Sequence, residues 1–204
     1  MNAAARTTDT RDRMVRAADQ LFRAQGLHAT GVAEILERSG APRGSLYHYF
    51  PGGKEQLAVE AIGHAATRFC RNITAAIDAN DGSLPNAVRL YGNAVAERLV
   101  ATDFLEGCPI GNSAIEGSVG SAAISQACDQ AFRDFAAVMA DHFVKQGVAR
   151  HEADGLATFV VSSVEGALLV SRVRHDAQPV IDATERVAVM LQAALDGAGR
   201  SVSS

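Results

Sequence analysis

The stretch TGVAEILERSGAPRGSLYHYFPGGKEQL, Thr30 to Leu57, reads as two short helices joined by a tight turn, with a third helix starting after Gly52-Gly53. Val32, Ile35 and Leu36 fall on one face of the first helix, at the three- and four-residue spacing of an amphipathic helix. Gly40 suits a left-handed cap, and Pro42 suits the first position of a new helix, where no amide is needed. The second helix, about Arg43 to Tyr49, spans two turns and is too short to be stable alone. The pattern is that of a helix-turn-helix, which lays its second helix in the DNA major groove. Leu46 and Phe50 point towards a core. Gly44, Ser45, His48 and Tyr49 point the other way, with Arg43 and Tyr47 on the flanks. A merely solvated face would carry Glu and Lys. This one offers small residues that let a backbone approach a duplex, and hydroxyl, imidazole and phenol groups that reach phosphates or base edges. Lys54 stands at the next helix N-terminus, where free amides and the dipole favour an anion.

The pattern Thr30, Ile35, Gly40, Arg43-Gly44-Ser45-Leu46-Tyr47-His48-Tyr49-Phe50, Lys54-Glu55 and Leu57, preceded by Leu21-Phe22 and Gly26, resembles the DNA-binding domain of TetR/AcrR-type transcriptional repressors. The resemblance implies that Thr30, Arg43, Ser45, Tyr47, His48, Tyr49 and Lys54 touch DNA, mostly at phosphates; Pro42 and Gly44 complete the candidate surface. Three positions depart from the pattern. Ala41-Pro42 replaces the commoner Val-Ser and removes a hydroxyl, Gly52-Gly53 lengthens the loop before Lys54, and Gly31 follows Thr30 where a second hydroxyl or a charge is frequent. The implied fold is all-α, about nine helices. A three-helix helix-turn-helix domain over 1–54 precedes a helical ligand-binding and dimerisation domain over 55–204.

Composition agrees. The 204 residues are 48% apolar with no Trp and five Pro, and no alternating Val/Ile/Thr run suggests strands. The net charge of −4 is unevenly spread: residues 1–64 hold eight Lys/Arg and seven Asp/Glu, residues 65–204 eleven and sixteen. Phosphate affinity must therefore come from local placement, with Arg6, Arg11, Arg13, Arg43 and Lys54 expected on one surface, and from dimerisation. The N-terminus lacks the apolar core of a signal peptide, and the apolar run Phe159 to Val170 is interrupted and short for a bilayer, so no membrane partner is expected. Three scattered cysteines favour reduced thiols in a cytoplasm. The six histidines show no metal-ligand spacing, Gly52-Gly53-Lys54 lacks the rest of a phosphate-binding loop, and no motif gives Cys108 a catalytic base in His142 or His151. No metal, cofactor or enzymatic activity is expected.

Further helices are predicted at about Thr8–Gln25, Glu55–Asn80, Leu84–Ala101, Asn112–Glu116, Ser121–Gln146, Glu152–Arg174 and Pro179–Ala198, with a fraying tail. The last two carry stripes that serve partly as core and, by the resemblance, pair with a second copy in a four-helix homodimer interface: Leu156, Val160, Ser163, Val164 and Ala167 in one, Val187, Leu191 and Leu195 in the other. The segment Phe104 to Ser113 resembles the drug-responsive branch typified by LmrA and YxaF, which implies a small lipophilic inducer inside the C-terminal domain. Candidate lining residues are Phe69, Tyr91, Phe104, Phe132, Phe135 and Phe159, with Cys108 and Asn112 as polar points. The expected activity is repression of an efflux or detoxification gene through a palindromic duplex operator. The competing class is a helical ligand-binding protein or small enzyme that does not act on DNA; a steep loss of DNA affinity with salt separates the two.

Overall fold

The computed structural model describes residues 3–117 and 120–202. Among them the chain is helical with no strand, in the order α1 (Ala3–Ala29), α2 (Val32–Ser39), α3 (Leu46–Tyr49), α4 (Gly53–Asp78), α5 (Leu84–Ala101), α6 (Pro109–Gly117), α7 (Ala122–Lys145), α8 (Arg150–Arg174) and α9 (Gln178–Val202).

Local chemistry accounts for most boundaries. In α1, Met14, Ala18, Leu21 and Phe22 form the buried stripe that their spacing predicts. Gly26 breaks that helix with φ 82 and ψ 175, a conformation that a side chain would strain, and one further turn carries it to Ala29. α2 ends at Gly40 (φ 64), where the amides of Gly40 and Ala41 donate to the carbonyls of Glu37 and Leu36 in a Schellman closure. α3 is shorter than expected. Arg43 and Gly44 form a turn, closed by the Ser45 amide donating to Pro42 O at 3.1 Å, so Pro42 precedes a turn rather than opening a helix. The side chain of Gln56 accepts the Gly52 amide at 2.9 Å and caps the start of α4. Ser83 caps α5 by accepting the Asn86 amide, with Pro85 in its first turn. α6 starts three residues before the expected Asn112, and α9 runs past Ala198. The expected break at Gly117–Gly120 falls partly on Ser118-Val119 and the fraying tail ends on Ser203-Ser204, all outside the described residues.

Compactness groups the chain into two units, Met1–Thr67 with Cys108–Ala131, and Arg68–Gly107 with Phe132–Ser204. This grouping puts α6 with the helix-turn-helix, whereas the division expected at 54/55 puts it in the C-terminal part; α4 and α7 supply residues to both units. In the first unit Leu21, Phe22, Ile35, Phe50, Leu57 and Ile62 are essentially sealed, each contributing about 1.5–3 kcal/mol by burial. In the second, Leu84, Met139, Phe143, Val187 and Leu191 anchor the core. α5 and α9 approach so closely that a Cβ on Gly92 would fall 2.0 Å from Thr184 Oγ1.

α8 corrects one expectation. At 25 residues, with a window of mean hydropathy 1.5, its length and composition suffice to cross a membrane. The apolar run considered alone is short; the helix that contains it is not. Its apolar residues divide between two faces. Ala153, Ala157, Val160, Val164 and Leu168 are buried within the unit, whereas Phe159, Leu169, Val170 and Val173 are exposed.

Candidate nucleic-acid interface and ligand cavity

α3 is held from beneath. Leu46 and Phe50 are buried, as their spacing predicts, and the Arg11 guanidinium lies 5.0 Å above the Phe50 ring. The opposite side carries Pro42, Arg43, Gly44, Tyr47 and His48, all exposed, with Tyr47 at 70%. The half-buried Tyr49 packs edge-on against the His48 ring at 4.8 Å. The Tyr47 ring passes close enough to Gly53 that a Cβ there would sit 3.2 Å from Tyr47 Cε1; glycine at that position permits the approach. This surface displays one guanidinium, one phenol and one imidazole on a two-helix frame that buries its own apolar side. It suits an anionic, groove-shaped partner.

Other residues expected at the duplex point elsewhere. Thr30 is buried at 1% exposure and its hydroxyl donates to Gly26 O at 2.6 Å, because it closes the break in α1. The Ser45 hydroxyl is buried and finds no hydrogen-bond partner in the protein. The Lys54 ammonium turns inward and donates to Leu27 O at 2.7 Å. Burial pushes its pKa down and the Glu116 carboxylate partly restores it. The expected basic surface shrinks likewise. Arg11 pairs with Glu60 at 2.5 Å, and Arg13 donates to Ser39 O at 2.9 Å and pairs with Asp9, each side chain staying about 40% exposed, while Arg43 is exposed on the turn before α3. The side chain of Arg6 lies outside the described residues.

In the second unit α4, α5, α7 and α8 enclose a cavity of about 380 Å³, part of it open to solvent. Phe69, Tyr91 and Phe135 line it as expected, with the Phe69 ring 3.9 Å from Phe135 and 5.4 Å from Tyr91. The other expected members do not. Phe104 packs beside His175, Phe132 meets the Phe135 ring edge-on at 6.0 Å, and Phe159 faces outward at 50% exposure. Cys108 and Asn112 belong to the first unit: the Cys108 sulfur accepts the Gly111 amide, and Asn112 donates to Phe22 O and Arg23 O. Sequence reasoning missed Ile73, Val88, Met139, Val160, Val161, Val164 and Glu165, which complete the wall. Their helical stripes were readable, but a stripe marks an apolar face and not whether that face encloses space. Cys128 is a buried thiol whose pKa burial pushes up to about 11, and burial, then Asp134, also raises that of Cys70. Among the described residues no group of three His, Cys, Asp or Glu could hold a metal.

The residues assigned to subunit pairing also divide. Val160, Val164, Val187 and Leu191 are buried within the chain itself, and the first two line the cavity. Leu156, Ser163, Ala167 and Leu195 are half-buried. The exposed apolar face of α8 instead runs through Phe159, Gly166, Leu169, Val170 and Val173, and Val189 is exposed on α9.

Two family models match the sequence: "Bacterial regulatory proteins, tetR family" over residues 14–61, and "Transcriptional regulator LmrA/YxaF-like, C-terminal domain" over residues 85–186. The chain is 33% identical to the HTH-type transcriptional regulator YxaF of Bacillus subtilis, over 90% of this chain and 96% of that one. It is 32% identical to the HTH-type transcriptional regulator LmrA of the same organism, over 85% and 92%. The crystal structure of regulatory protein TetR from Rhodobacter sphaeroides superposes with a TM-score of 0.75 at 25% identity, covering 87% of this chain and 96% of that one.

Proposed function

Since this chain belongs to the tetR family of bacterial regulatory proteins, with an LmrA/YxaF-like C-terminal domain, we propose that it is a homodimeric repressor that grips a two-fold operator and releases it when a small lipophilic ligand binds. The observation that carries this reading is the exposed set Pro42, Arg43, Gly44, Tyr47 and His48, pinned over buried Leu46 and Phe50. DNA recognition resides in residues 1–54 and ligand binding and dimerisation in 55–204. A helix as short as α3 reads little by itself, so two copies, about 34–36 Å apart, supply the affinity and the symmetry. The exposed face of α8, with Val189 of α9, is the surface that pairs them. A second copy accounts for that apolarity without a membrane, and the protein acts on DNA in the cytoplasm.

Ligand response follows from α4. This one helix supplies Phe69 and Ile73 to the cavity wall and Leu57 and Ile62 to the core of the first unit. A ligand that displaces the wall shifts α4, which begins directly after the helix-turn-helix, and the paired heads leave groove register. The target is an efflux or detoxification gene near its own.

Nuclease protection on the DNA flanking its gene tests this reading. The expected result is a two-fold footprint that weakens steeply as salt rises. Absence of any footprint, with salt-independent retention of DNA, removes the repressor reading and leaves a helical ligand-binding protein.

A further inference from the structure

The segment whose resemblance pointed to the inducer, Phe104 to Ser113, does not line the cavity, and its polar side chains are engaged elsewhere. The peptide groups around the Gly26 break are met by side chains from other elements, as the frayed end of a helix requires. Asn112 of α6 donates its amide to Phe22 O at 3.2 Å and Arg23 O at 3.4 Å. Glu116, one turn on, accepts the His28 amide at 2.7 Å, and its carboxylate fills the space beside Gly26, where a Cβ would fall 2.0 Å from Oε1. Lys54 holds Leu27 O and Thr30 holds Gly26 O. Two residues beyond this cluster, at Val32, α2 begins. Whatever fixes the exit of α1 therefore fixes the start of the helix-turn-helix. At the other end of the segment, in the second unit, Arg172 of α8 donates to Phe104 O at 3.4 Å and Leu105 O at 2.9 Å. About two turns earlier on α8, Val164 and Glu165 line the cavity.

We propose that Asn112 and Glu116 are positioning residues for DNA binding, and that Phe104 to Glu116 is the strap through which occupancy of the cavity moves the exit of α1. This rests on the repressor reading. It assigns the segment a mechanical role in place of direct ligand binding. Asn112 and Glu116 act on DNA through α1 and α2 and touch no phosphate themselves. Loosening them leaves the Arg43–His48 surface chemically intact but lets it wander, so affinity falls while the charge count on the DNA does not.

The test uses the full-length protein and a duplex selected from a random pool by the wild type. If no duplex can be selected, the repressor reading itself fails, which is a separate failure. With a duplex in hand, Glu116→Ala is expected to lower affinity about tenfold, with an unchanged salt slope and faster amide exchange confined to residues 27–31. Glu116→Gln, whose carbonyl still accepts the His28 amide, is expected to recover most of that loss. Affinity of Glu116→Ala within about twofold of wild type overturns the positioning role, as does an equal loss in the Gln variant. Should Glu116→Ala not fold, Asn112→Leu carries the same expectation and the same refutation. For the strap, Val161→Phe serves as the probe of occupancy, because it fills the cavity from its wall. Its effect on affinity should shrink at least about threefold in an Arg172→Met background. An undiminished effect there overturns the strap.

Discussion

Val173→Asp tests the pairing surface, and its size can be worked from exposure. Val173 is 76% exposed, Phe159 50%, Leu169 52%, Val170 40% and Val189 52%. At about 2 kcal/mol for each fully buried apolar side chain, covering these fractions contributes roughly 5 kcal/mol per subunit and about 11 per pair. That lies within the cost of about 4–15 kcal/mol for lost freedom on association, so the pair is stable only while this face stays apolar. Replacing Val173 removes about 1.5 kcal/mol of that burial, and a two-fold interface counts the loss twice. A carboxylate deprived of water adds several kcal/mol more. The expected rise in the dimer dissociation constant is at least about 100-fold. Sedimentation velocity over a thousandfold range of concentration measures it, and the palindromic duplex should lose affinity in parallel. Val100→Asp is the control: Val100 is 63% exposed on α5, off the proposed face. A Val173→Asp protein that sediments as the wild type, or a Val100→Asp protein that dissociates, would refute the assignment.

Arg43→Ala should reduce the slope of log affinity against log salt by about 0.9, the share of one neutralised phosphate; the thermal melt should not move, because the side chain is exposed. Lys54→Met should do the reverse. Leu27 O loses its donor, which costs about 1 kcal/mol and lowers the melt by about 2–4 °C for a chain of this length, with little change in the salt slope; a slope change equal to that of Arg43→Ala would place the Lys54 ammonium on phosphate instead. Cys128, whose pKa is pushed up to about 11, carries roughly one part in a thousand of thiolate at pH 8. Its alkylation should accelerate about tenfold per pH unit up to about 11, and a rate that levels off below pH 9 would show a thiol not held by burial. Raising the folded pKa also means that the stability tied to the neutral thiol is intact below the unfolded value near 8.5 and declines as pH climbs towards 11.

Much of the helix-turn-helix was legible because its signals are local. The three- and four-residue spacing of Val32, Ile35 and Leu36, the left-handed Gly40 and the pairing of Leu46 with Phe50 each involve neighbours within about two turns. Leu84–Ala101 appears at the bounds predicted for it. The length of α3 was misread because Pro42 can open a helix or precede a turn, and the choice depends on what Leu46 and Phe50 dock against. Thr30, Lys54 and Asn112 were misplaced for one shared reason. A short polar or long cationic side chain has the same local pattern whether it reaches solvent or a carbonyl, and here the broken end of α1 supplied the carbonyls.

An all-helical chain, the position of its helix-turn-helix and the breaks between helices are written in the order of the residues, since propensity, capping and periodicity act over a few positions. Three-dimensional packing was needed to settle which face of α8 is lining and which is exposed, that Phe159 points away from the cavity, and that the Phe104–Glu116 segment grips α1. Periodicity says which residues lie together on a helix, whereas the identity of the partner across the gap depends on groups tens of positions apart. Asn112 meets Phe22 across 90 residues, and no window of sequence contains both.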